Sequence, residues 1–439
     1  MIDAIKNIFK IPELRDRVLF TFAMLIVVRL GSFVVTPGVN SQVLAAAMQD
    51  QGGLSALYDL FTGGAFSQAA IFSCGIMPYI SASIILQLLG TAVPYFQRLQ
   101  KEGEEGRRKI GQFTRYGTLV IAGIQASGIA LFLNSTSTGG TPVTDGSLSF
   151  IVMTVITMSA GTMLLLWIGE QITDGGIGNG ISLIIFINII ARLPISISQE
   201  IDNIAGNQQQ VIFEFIALIF AILIIAAVVA LTQGTRKIPV QYAKRVVGKK
   251  VYGGTSAFFP IKVNAAGVMP IIFAQAFMFM PEMVFKLFPN NTFLTETLAP
   301  MFTYDHWFYW FVTFIFIVFF TYFYTAIAMN PQEIAENLKK QNGFVPGIRP
   351  GKSTADYIDT VLTRLTLPGA IFLGLISTVP YFLHEGLNLT WGYANFFGGT
   401  GLLILVGVAL DTLQHLESHL VMRNYDGFLT TGRLKGRRA

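Results

Sequence analysis

The sequence carries little charge for its length. Only 13% of its 439 residues are Asp, Glu, Lys or Arg, whereas 52% are hydrophobic and the mean hydropathy is +0.58. About a quarter of the residues in an average soluble chain are charged, because a soluble surface must be solvated. The composition therefore argues against a soluble enzyme and predicts an all-α protein that crosses a membrane many times.

Residues that support covalent or metal chemistry are also scarce. Cys74 is the only cysteine, which excludes an internal disulfide and a thiolate metal cluster. The run "GGIGNG" at 175–180 follows an apolar span instead of a strand, so we interpret it as a flexible turn between two spans and not as a dinucleotide loop. His415 and His419 stand one helical turn apart, as two metal ligands can, but such a pair more often lies on a solvated helix face. We expect no catalytic residue, no metal and no cofactor.

Long apolar runs predict ten membrane spans. They cover residues 18–37, 71–93, 114–133, 149–169, 180–195, 211–232, 264–285, 307–328, 361–383 and 397–416. Of the 30 Lys and Arg residues, 27 lie in the N-terminus, in or beside alternate loops, or in the basic tail 417–439, whereas loops 38–70, 134–148 and 384–396 contain none. Because basic residues mark the cytoplasmic side, both termini are predicted to be cytoplasmic. No cleavable signal peptide is evident, since the first apolar run begins only after Arg17.

The ten spans divide at the outer loop 196–210 into an N-terminal half, 1–195, and a C-terminal half, 211–416. Five spans in each half require the halves to have opposite topology, as in an inverted repeat. We see no sequence similarity between the halves, so the repeat is a hypothesis from counting. Folds of this kind place their functional site between the halves, near the membrane midplane.

Two features of the predicted membrane interior stand out. Arg29 is set well inside a span, at a cost of about 2.5–3.5 kcal/mol, and we expect it to pair with a carbonyl or line a cavity in a structural role. Ile80 and Ile84 lie one turn apart on one helical face, as do Ile185 and Ile189. A ring of branched apolar side chains can gate an aqueous path by dewetting, although isoleucine is also an ordinary membrane residue.

Two cytoplasmic loops are predicted to form projecting structures. Loop 233–263 alternates β-forming and basic residues around a turn at Gly248, which predicts a hairpin. Its seven cations and no carboxylate favour a partner rich in phosphate or acid, the alternative being a topology signal with lipid headgroup contact. In loop 329–360, Asn330 is a candidate N-cap for a short helix that stops at Gly343. Arg349 follows, held between two Pro/Gly pairs as a contact residue would be.

At these loops the sequence resembles the SecY/Sec61-alpha family, the channel subunits of the Sec protein translocase. The stretches that carry the resemblance run in order along the chain: "GGAFSQAAIFSCGIMPYISASIILQLL", "KEGEEGRRKIGQFTRYGTL", "GEQITDGGIGNGISLIIF", "YAKRVVGKKVYGG", "VNAAGVMPIIFA", "NPQEIAENLKKQNGFVPGIRPG", "TRLTLPGA" and "FGGTGLLI". Together they are highly specific.

The resemblance implies a central pore between two inverted five-helix halves. Unfolded secretory chains would pass through it, and transmembrane segments would leave sideways into lipid through a gate between spans 71–93 and 264–285, flanked by 114–133 and 307–328. The constriction ring carried over by motif consists of Ile80, Ile84, Ile185, Ile189, Ile272 and Ile404.

The resemblance further implies a re-entrant plug helix over about residues 55–70, which fills the outer funnel. Its implied residues are Leu57, Leu60, Phe61, Gly63, Gly64 and Ser67, and with Leu54 the first three form an apolar face. We expect a weakly held plug, because Gly63 and Gly64 lower helix stability and Ser67 tolerates water. Pro78 would kink the following helix where it borders the pore.

The implied partners are SecE-like and SecG-like small membrane subunits, the SecA motor, the ribosome, signal peptides, nascent chains and anionic lipid, in a bacterial cytoplasmic membrane. The docking residues would be Arg236, Lys237, Lys244, Arg245, Lys249, Lys250 and Arg349. Two other functions also fit ten spans: a secondary transporter of a small solute, and a scaffold with no pore.

Overall fold

The computed structural model describes residues 11–40, 43–44, 54–135, 137–138, 141–144, 146–205, 210–242, 245–247, 250–252, 256–287, 293–303, 306–387 and 389–431. The chain divides into two compact units. The first unit comprises Met1–Ile195 and Val408–Ala439, and the second comprises Ser196–Gly407.

In the part that the structure describes, the first unit combines helices with one two-stranded ladder. Its helices are α1 (Pro12–Gly31), α2 (Leu54–Thr62), α3 (Met77–Ala92), α4 (Pro94–Lys101), α5 (Glu104–Ser135), α6 (Leu148–Gly175) and most of α7 (Gly180–Ala205). Strands β1 (Ser137–Thr138) and β2 (Thr141–Pro142) pair antiparallel between α5 and α6. A buried cluster that includes Ala126, Leu133, Phe150 and Met158 joins α5 to α6.

The second unit combines helices with a β-sheet module. Its helices are α8 (Gln210–Gln233), α9 (Met269–Leu287), α10 (Trp307–Ala328), α11 (Pro331–Lys340), α12 (Lys352–Leu387) and α13 (Trp391–Gly398), with α14 (Thr400–Thr431) running on into the first unit. A short π-helix (Phe293–Leu298) and a 3-10 turn (Ala299–Phe302) precede α10. Its strands are β3 (Thr235–Tyr242), β4 (Arg245–Val247), β5 (Lys250–Tyr252), β6 (Ser256–Lys262) and β7 (Gly343–Phe344).

Several helices have the length and hydropathy of membrane spans. Within the described residues seven helices qualify, or eight if α3 and α4, which meet at 101°, form one broken span. The bend falls at Val93, whose backbone is extended (φ −104°, ψ 121°) because it precedes Pro94. The predicted span 307–328 coincides with α10, Trp307–Ala328.

Three predicted spans have different boundaries in the structure. The span 18–37 is helical only to Gly31, after which the chain turns, and the Val34 carbonyl accepts a hydrogen bond from Ile71 N at 2.9 Å. Residues 71–76 form turns instead of the start of a helix, with Gly75 at φ +57°. Residues 264–268 are likewise a turn, with Gly267 at φ +63°. Glycine adopts these left-handed conformations without a Cβ penalty, so local turns override the apolar pattern.

Two other expectations about helix geometry are corrected. The outer loop predicted at 196–210 is helical to Ala205, and the buried Glu200 in that extension accepts a hydrogen bond from Thr390 N at 3.0 Å. Pro78 does not kink α3, because it occupies the first turn, where its missing N–H has no helical partner to lose.

The turn at 175–180 is fixed by hydrogen bonds. Ile177 is buried, and its N–H donates to Thr21 Oγ1 of α1 at 3.1 Å. The Asn179 side chain caps α7 by accepting hydrogen bonds from the backbone N–H groups of Ile181 and Ser182. The predicted turn between two spans is confirmed, and its flexibility stays a prediction.

The predicted hairpin in loop 233–263 is confirmed. Strands β3 and β6 pair antiparallel from Thr235↔Lys262 to Gln241↔Ser256, and β7 joins the other edge of β3. Beyond them β4 and β5 pair in register Val247↔Lys250, and Gly248 lies outside the described residues. The sheet packs on α11 and α12 through one apolar cluster: Ile238, Val240, Ile261, Leu338, Val345, Ile358 and Leu362.

The predicted helix in loop 329–360 is also confirmed. It is α11, and the Asn330 side chain caps it by accepting a hydrogen bond from Gln332 N at 3.1 Å. The left-handed residue that follows the helix is Asn342, at φ +57°, and not Gly343. Gly343 instead begins β7, where a Cβ would lie 3.0 Å from the Tyr242 ring.

Candidate functional site

All six isoleucines of the implied ring are buried. Each has at most 4% of its surface exposed. Four of them, Ile80, Ile84, Ile185 and Ile189, lie on α3 and α7 of the first unit; Ile272 and Ile404 lie on α9 and α14 within the second unit. Neighbours on the same helices behave differently, since Ile85 is 39% exposed and Ile195 is 44% exposed. These six residues therefore do not face lipid. That they come together in one ring stays a prediction.

The segment before α3 is a short helix followed by turns, and we refer to residues 54–76 as the α2 segment. Helix α2 has nine residues and ends at Gly63 and Gly64, whose φ values are +65° and +92°. Leu60, Phe61, Phe66 and Phe72 of the segment are all buried; the side chains of Leu54 and Leu57 lie outside the described part. A nine-residue helix is marginal by itself, so its stability must come from contacts with its surroundings.

The first set of contacts is made by the backbone after α1. Thr36 N donates to the Ala69 carbonyl at 2.9 Å, and the Thr36 hydroxyl donates to the same oxygen at 2.7 Å. Val35 forms an isolated antiparallel bridge with Ala70. The turns of the α2 segment are thus hydrogen-bonded to the chain that follows α1.

The second set satisfies the carbonyls at the end of α2. Arg29 Nη1 donates to the Gly63 carbonyl at 2.9 Å, and Asn188 Nδ2 donates to the Phe61 carbonyl at 3.1 Å. The last carbonyls of a helix have no partner within the helix, and a cation there also interacts favourably with the helix dipole. The prediction that Arg29 pairs with a neighbouring carbonyl is confirmed.

The third set is an ion pair. The Asp59 carboxylate pairs with the Arg192 guanidinium, and the two side chains are only 10% and 17% exposed. Ser67 links them, since its N–H donates to Asp59 Oδ1 at 2.9 Å and its hydroxyl accepts from Arg192 Nη2 at 2.8 Å. Sequence reasoning did not identify Asp59, Asn188 or Arg192, although a cation in an apolar span such as Arg192 is itself a signal that a partner exists.

The two glycines follow α2 and do not lie within it, so they do not lower the stability of that helix from inside; that the segment is weakly held stays a prediction. A Cβ on Gly63 would lie 2.5 Å from Arg29 Nη1 and 2.9 Å from Asn188 Cα. A Cβ on Gly64 would lie 3.4 Å from the Arg192 guanidinium. The two glycines therefore end α2 and let the backbone approach both arginines closely.

The described docking candidates lie on strands of the second unit and on the loop between β7 and α12. Arg236 and Lys237 are exposed on β3, and Arg349 is exposed between Gly347 (φ +81°) and Gly351 (φ +102°). The Arg349 carbonyl accepts a hydrogen bond from the Thr354 hydroxyl at 2.9 Å, which fixes the backbone while the side chain projects.

Four more docking candidates can be placed only in part. Arg245 and Lys250 belong to β4 and β5 with undescribed side chains, and Lys244 and Lys249 lie outside the described residues. Among the described residues no group of three His, Cys, Asp or Glu could hold a metal ion; the side chain of His419 is outside that set.

The helices and their apolar outer surfaces define a multi-pass membrane protein, and its fold matches solved protein-conducting channels. A structure described as a protein conducting channel aligns with a TM-score of 0.63 at 16% identity, covering 96% of this chain and 95% of that one. A structure of Sec61 in the canine ribosome–channel complex aligns with a TM-score of 0.59 at 16% identity over 96% and 95% of the two chains.

Comparison of sequences identifies the family more specifically than comparison of folds does. The model of the SecY family matches residues 70–413. Proteins named protein translocase subunit SecY are 43% identical in Thermotoga maritima and 44% identical in Thermus thermophilus, over 100% of this chain and 100% of each relative. The corresponding protein of Halalkalibacterium halodurans is 46% identical over 98% of this chain and 100% of its own. The chain belongs to the SecY family, and its ten predicted spans are consistent with that family.

Proposed function

We infer that this protein is a protein-conducting channel. It passes unfolded secretory polypeptides across a membrane and releases transmembrane segments sideways into lipid. The observation that carries this inference is the whole-length match to relatives named protein translocase subunit SecY. The family consists of channel subunits and not of enzymes, so the energy for transport comes from a partner.

The six buried isoleucines are proposed to form the constriction of the channel. Apolar contacts are non-directional, so a ring of branched side chains closes around any translocating residue without preferring a sequence. When no chain is present and the plug covers it, such a ring excludes water and therefore ions. Burial of 0–4% at all six positions supports this role, because a lipid-facing isoleucine in this protein is exposed.

The α2 segment is proposed to be the plug that closes the channel at rest. A solved structural neighbour is described as showing that the plug domain of its SecY protein stabilises the closed state and maintains a membrane seal. In the present chain the support is local: helix α2, with nine residues, is too short to span a membrane, and the α2 segment contacts α1 and α7.

The partners follow from the cytoplasmic surface and from the neighbours. Two neighbours are channel complexes bound to ribosomes, and we propose that Arg236, Lys237 and Arg349 contact ribosomal RNA phosphates or a SecA-type motor. SecE-like and SecG-like subunits, signal peptides, nascent chains and anionic lipid complete the proposed set. We propose a bacterial cytoplasmic membrane with both termini on the cytoplasmic side, and a lateral gate between the spans at 71–93 and 264–285.

Reconstitution in proteoliposomes tests the function. We expect import of a secretory precursor only when the motor and ATP are present, and co-purification of a single-span SecE-like subunit. Accumulation of a small solute under an ion gradient, without precursor import, would instead identify a secondary transporter. Vesicles that transport neither would indicate a scaffold.

A further inference from the structure

We propose that the ion pair between Asp59 and Arg192 holds the plug in place, so that separating this pair is the step that frees the plug. The proposal rests on the proposed function, because it treats the α2 segment as the plug. It assigns to two charged residues a role that the apolar ring does not perform: the ring narrows the pore, whereas the pair retains the segment that closes it.

The geometry identifies the pair as a connection between distant parts of the first unit. Asp59 belongs to α2 and Arg192 belongs to α7, so the contact joins the plug to a long helix. Ser67, beyond the glycine turn, hydrogen-bonds to both side chains. Asp59 and Ser67 flank the turn at Gly63 and Gly64 and both contact Arg192, so the plug cannot move away from α7 without breaking these two contacts.

The environment makes the pair sensitive to the loss of one partner. Both side chains are largely buried, so a single charge left behind is poorly solvated and strongly unfavourable. Replacing both partners by neutral groups removes the attraction and the stranded charge together, and is far less harmful. A plug held by this pair should therefore respond non-additively to mutation of its two members.

The charges around the turn also predict an asymmetry. Arg29 binds the Gly63 carbonyl nearby, so the turn is surrounded by two guanidinium groups, and within the described residues Asp59 is the only carboxylate that pairs with either. Loss of the Asp59 charge leaves two cations without an anion. Loss of the Arg192 charge leaves the carboxylate with Arg29 still near the same turn. Asp59→Asn should consequently free the plug more than Arg192→Gln.

The experiment measures plug release directly in the full-length protein in proteoliposomes without precursor. Cys74 is replaced by Ala, and Gln68, a half-buried plug residue, is replaced by Cys as a reporter for a membrane-impermeant maleimide. The leak of a trapped small dye is recorded in parallel.

The variants are Asp59→Asn, Arg192→Gln, Arg192→Lys and the double neutral variant, with Arg115→Gln as control. Arg115 of α5 forms a bidentate pair with Glu170 of α6 at 2.8–2.9 Å, but it is half exposed and neither residue belongs to the plug.

We expect Asp59→Asn to raise the labelling rate and the leak about tenfold or more, and Arg192→Gln to raise them severalfold. The double variant should leak less than Asp59→Asn alone, Arg192→Lys should regain most of the protection lost in Arg192→Gln, and the control should match the parent. A double variant that reaches the product of the two single effects would overturn the proposal. So would an Arg192→Lys variant as open as Arg192→Gln.

Precursor import with motor and ATP is measured on the same vesicles, which separates this proposal from the proposed function. If the parent imports precursor while the effects of the two single variants on labelling multiply in the double variant, the channel function is supported and the ion-pair proposal fails. If the parent imports nothing although labelling follows the non-additive pattern, the pair holds the segment and the channel assignment fails. Should Asp59→Asn not fold, the comparison of Arg192→Gln with Arg192→Lys still decides the proposal.

Discussion

The α2 segment and the β-sheet module are both irregular insertions between long helices, yet they are stabilised in opposite ways. The sheet module is held by a backbone ladder and by one apolar cluster shared with α11 and α12. Among the described residues, the α2 segment is joined to the chain after α1 by an isolated bridge and a few backbone hydrogen bonds instead of a regular ladder. Side chains of α1 and α7 bind its carbonyls and its single carboxylate.

This difference matches the behaviour that each region needs. Apolar contacts are spread over many atoms, so the sheet module loses little of its shape when one surface residue changes, and it can present Arg349 in a fixed position. A few directional polar contacts can be exchanged for water or a passing chain, so the α2 segment can be both tightly placed and releasable.

The largest effect is expected in the core of the sheet module. Ile261→Ala removes a fully buried side chain from β6 and should destabilise the module by about 2–5 kcal/mol. Hydrogen exchange over residues 235–262 measures the loss. Phe258→Ala is the matched control, because Phe258 lies on the same strand with 64% of its surface exposed. Increased dye leak in Ile261→Ala would contradict the separation of the two regions.

A smaller effect on stability, but a larger one on the seal, is expected at the ring. Ile84→Asn places an amide in an apolar constriction at a cost of about 1–3 kcal/mol, and it allows water to enter. We expect ion leak and passage of precursors with defective signals, measured in proteoliposomes and by export assays. Ile85→Asn changes the adjacent, exposed residue and should leave both unchanged. If Ile84→Asn keeps its ion tightness and its signal discrimination, Ile84 does not belong to the constriction.

The sequence predicts the spans better than it predicts their ends or the site. Long apolar runs locate α10 correctly because a membrane interior imposes them, whereas α1 ends at Gly31 because the following residues pair with the α2 segment. The isoleucines come from the family resemblance, since nothing in their spacing separates pore-lining from core residues. The contact between Arg192 and Asp59 joins residues more than a hundred positions apart, and no periodicity links them.

The third largest effect on stability is expected at the glycine turn, Gly63 and Gly64. Gly63→Ala adds a Cβ at φ +65°, which costs about 1–2 kcal/mol, and it pushes against the Arg29 guanidinium and Asn188 Cα. We expect faster maleimide labelling at position 68 in the reporter background. The control Gly123→Ala makes the same change inside helix α5, where a Cβ meets no atom within 4 Å, and should be neutral or slightly stabilising. Equal labelling in both variants would restore the interpretation that these glycines merely weaken a helix.

The smallest effect on stability is expected at Arg349, where the consequence should be confined to a partner. The side chain is exposed, and among the described residues it forms no ion pair, so Arg349→Ala should change the free energy of unfolding by less than about 0.5 kcal/mol. Because the Thr354 hydroxyl and the flanking glycines fix the loop backbone, the loop should keep its shape while losing one charge. Motor-driven export of a precursor should then fall more than insertion of a membrane protein. Lys352→Ala, three residues away and also exposed, controls for the loss of any nearby cation. An equal loss of export and insertion would argue against motor docking and favour a general requirement for this charge. In that case the sheet module, like the plug, would depend on a single polar contact.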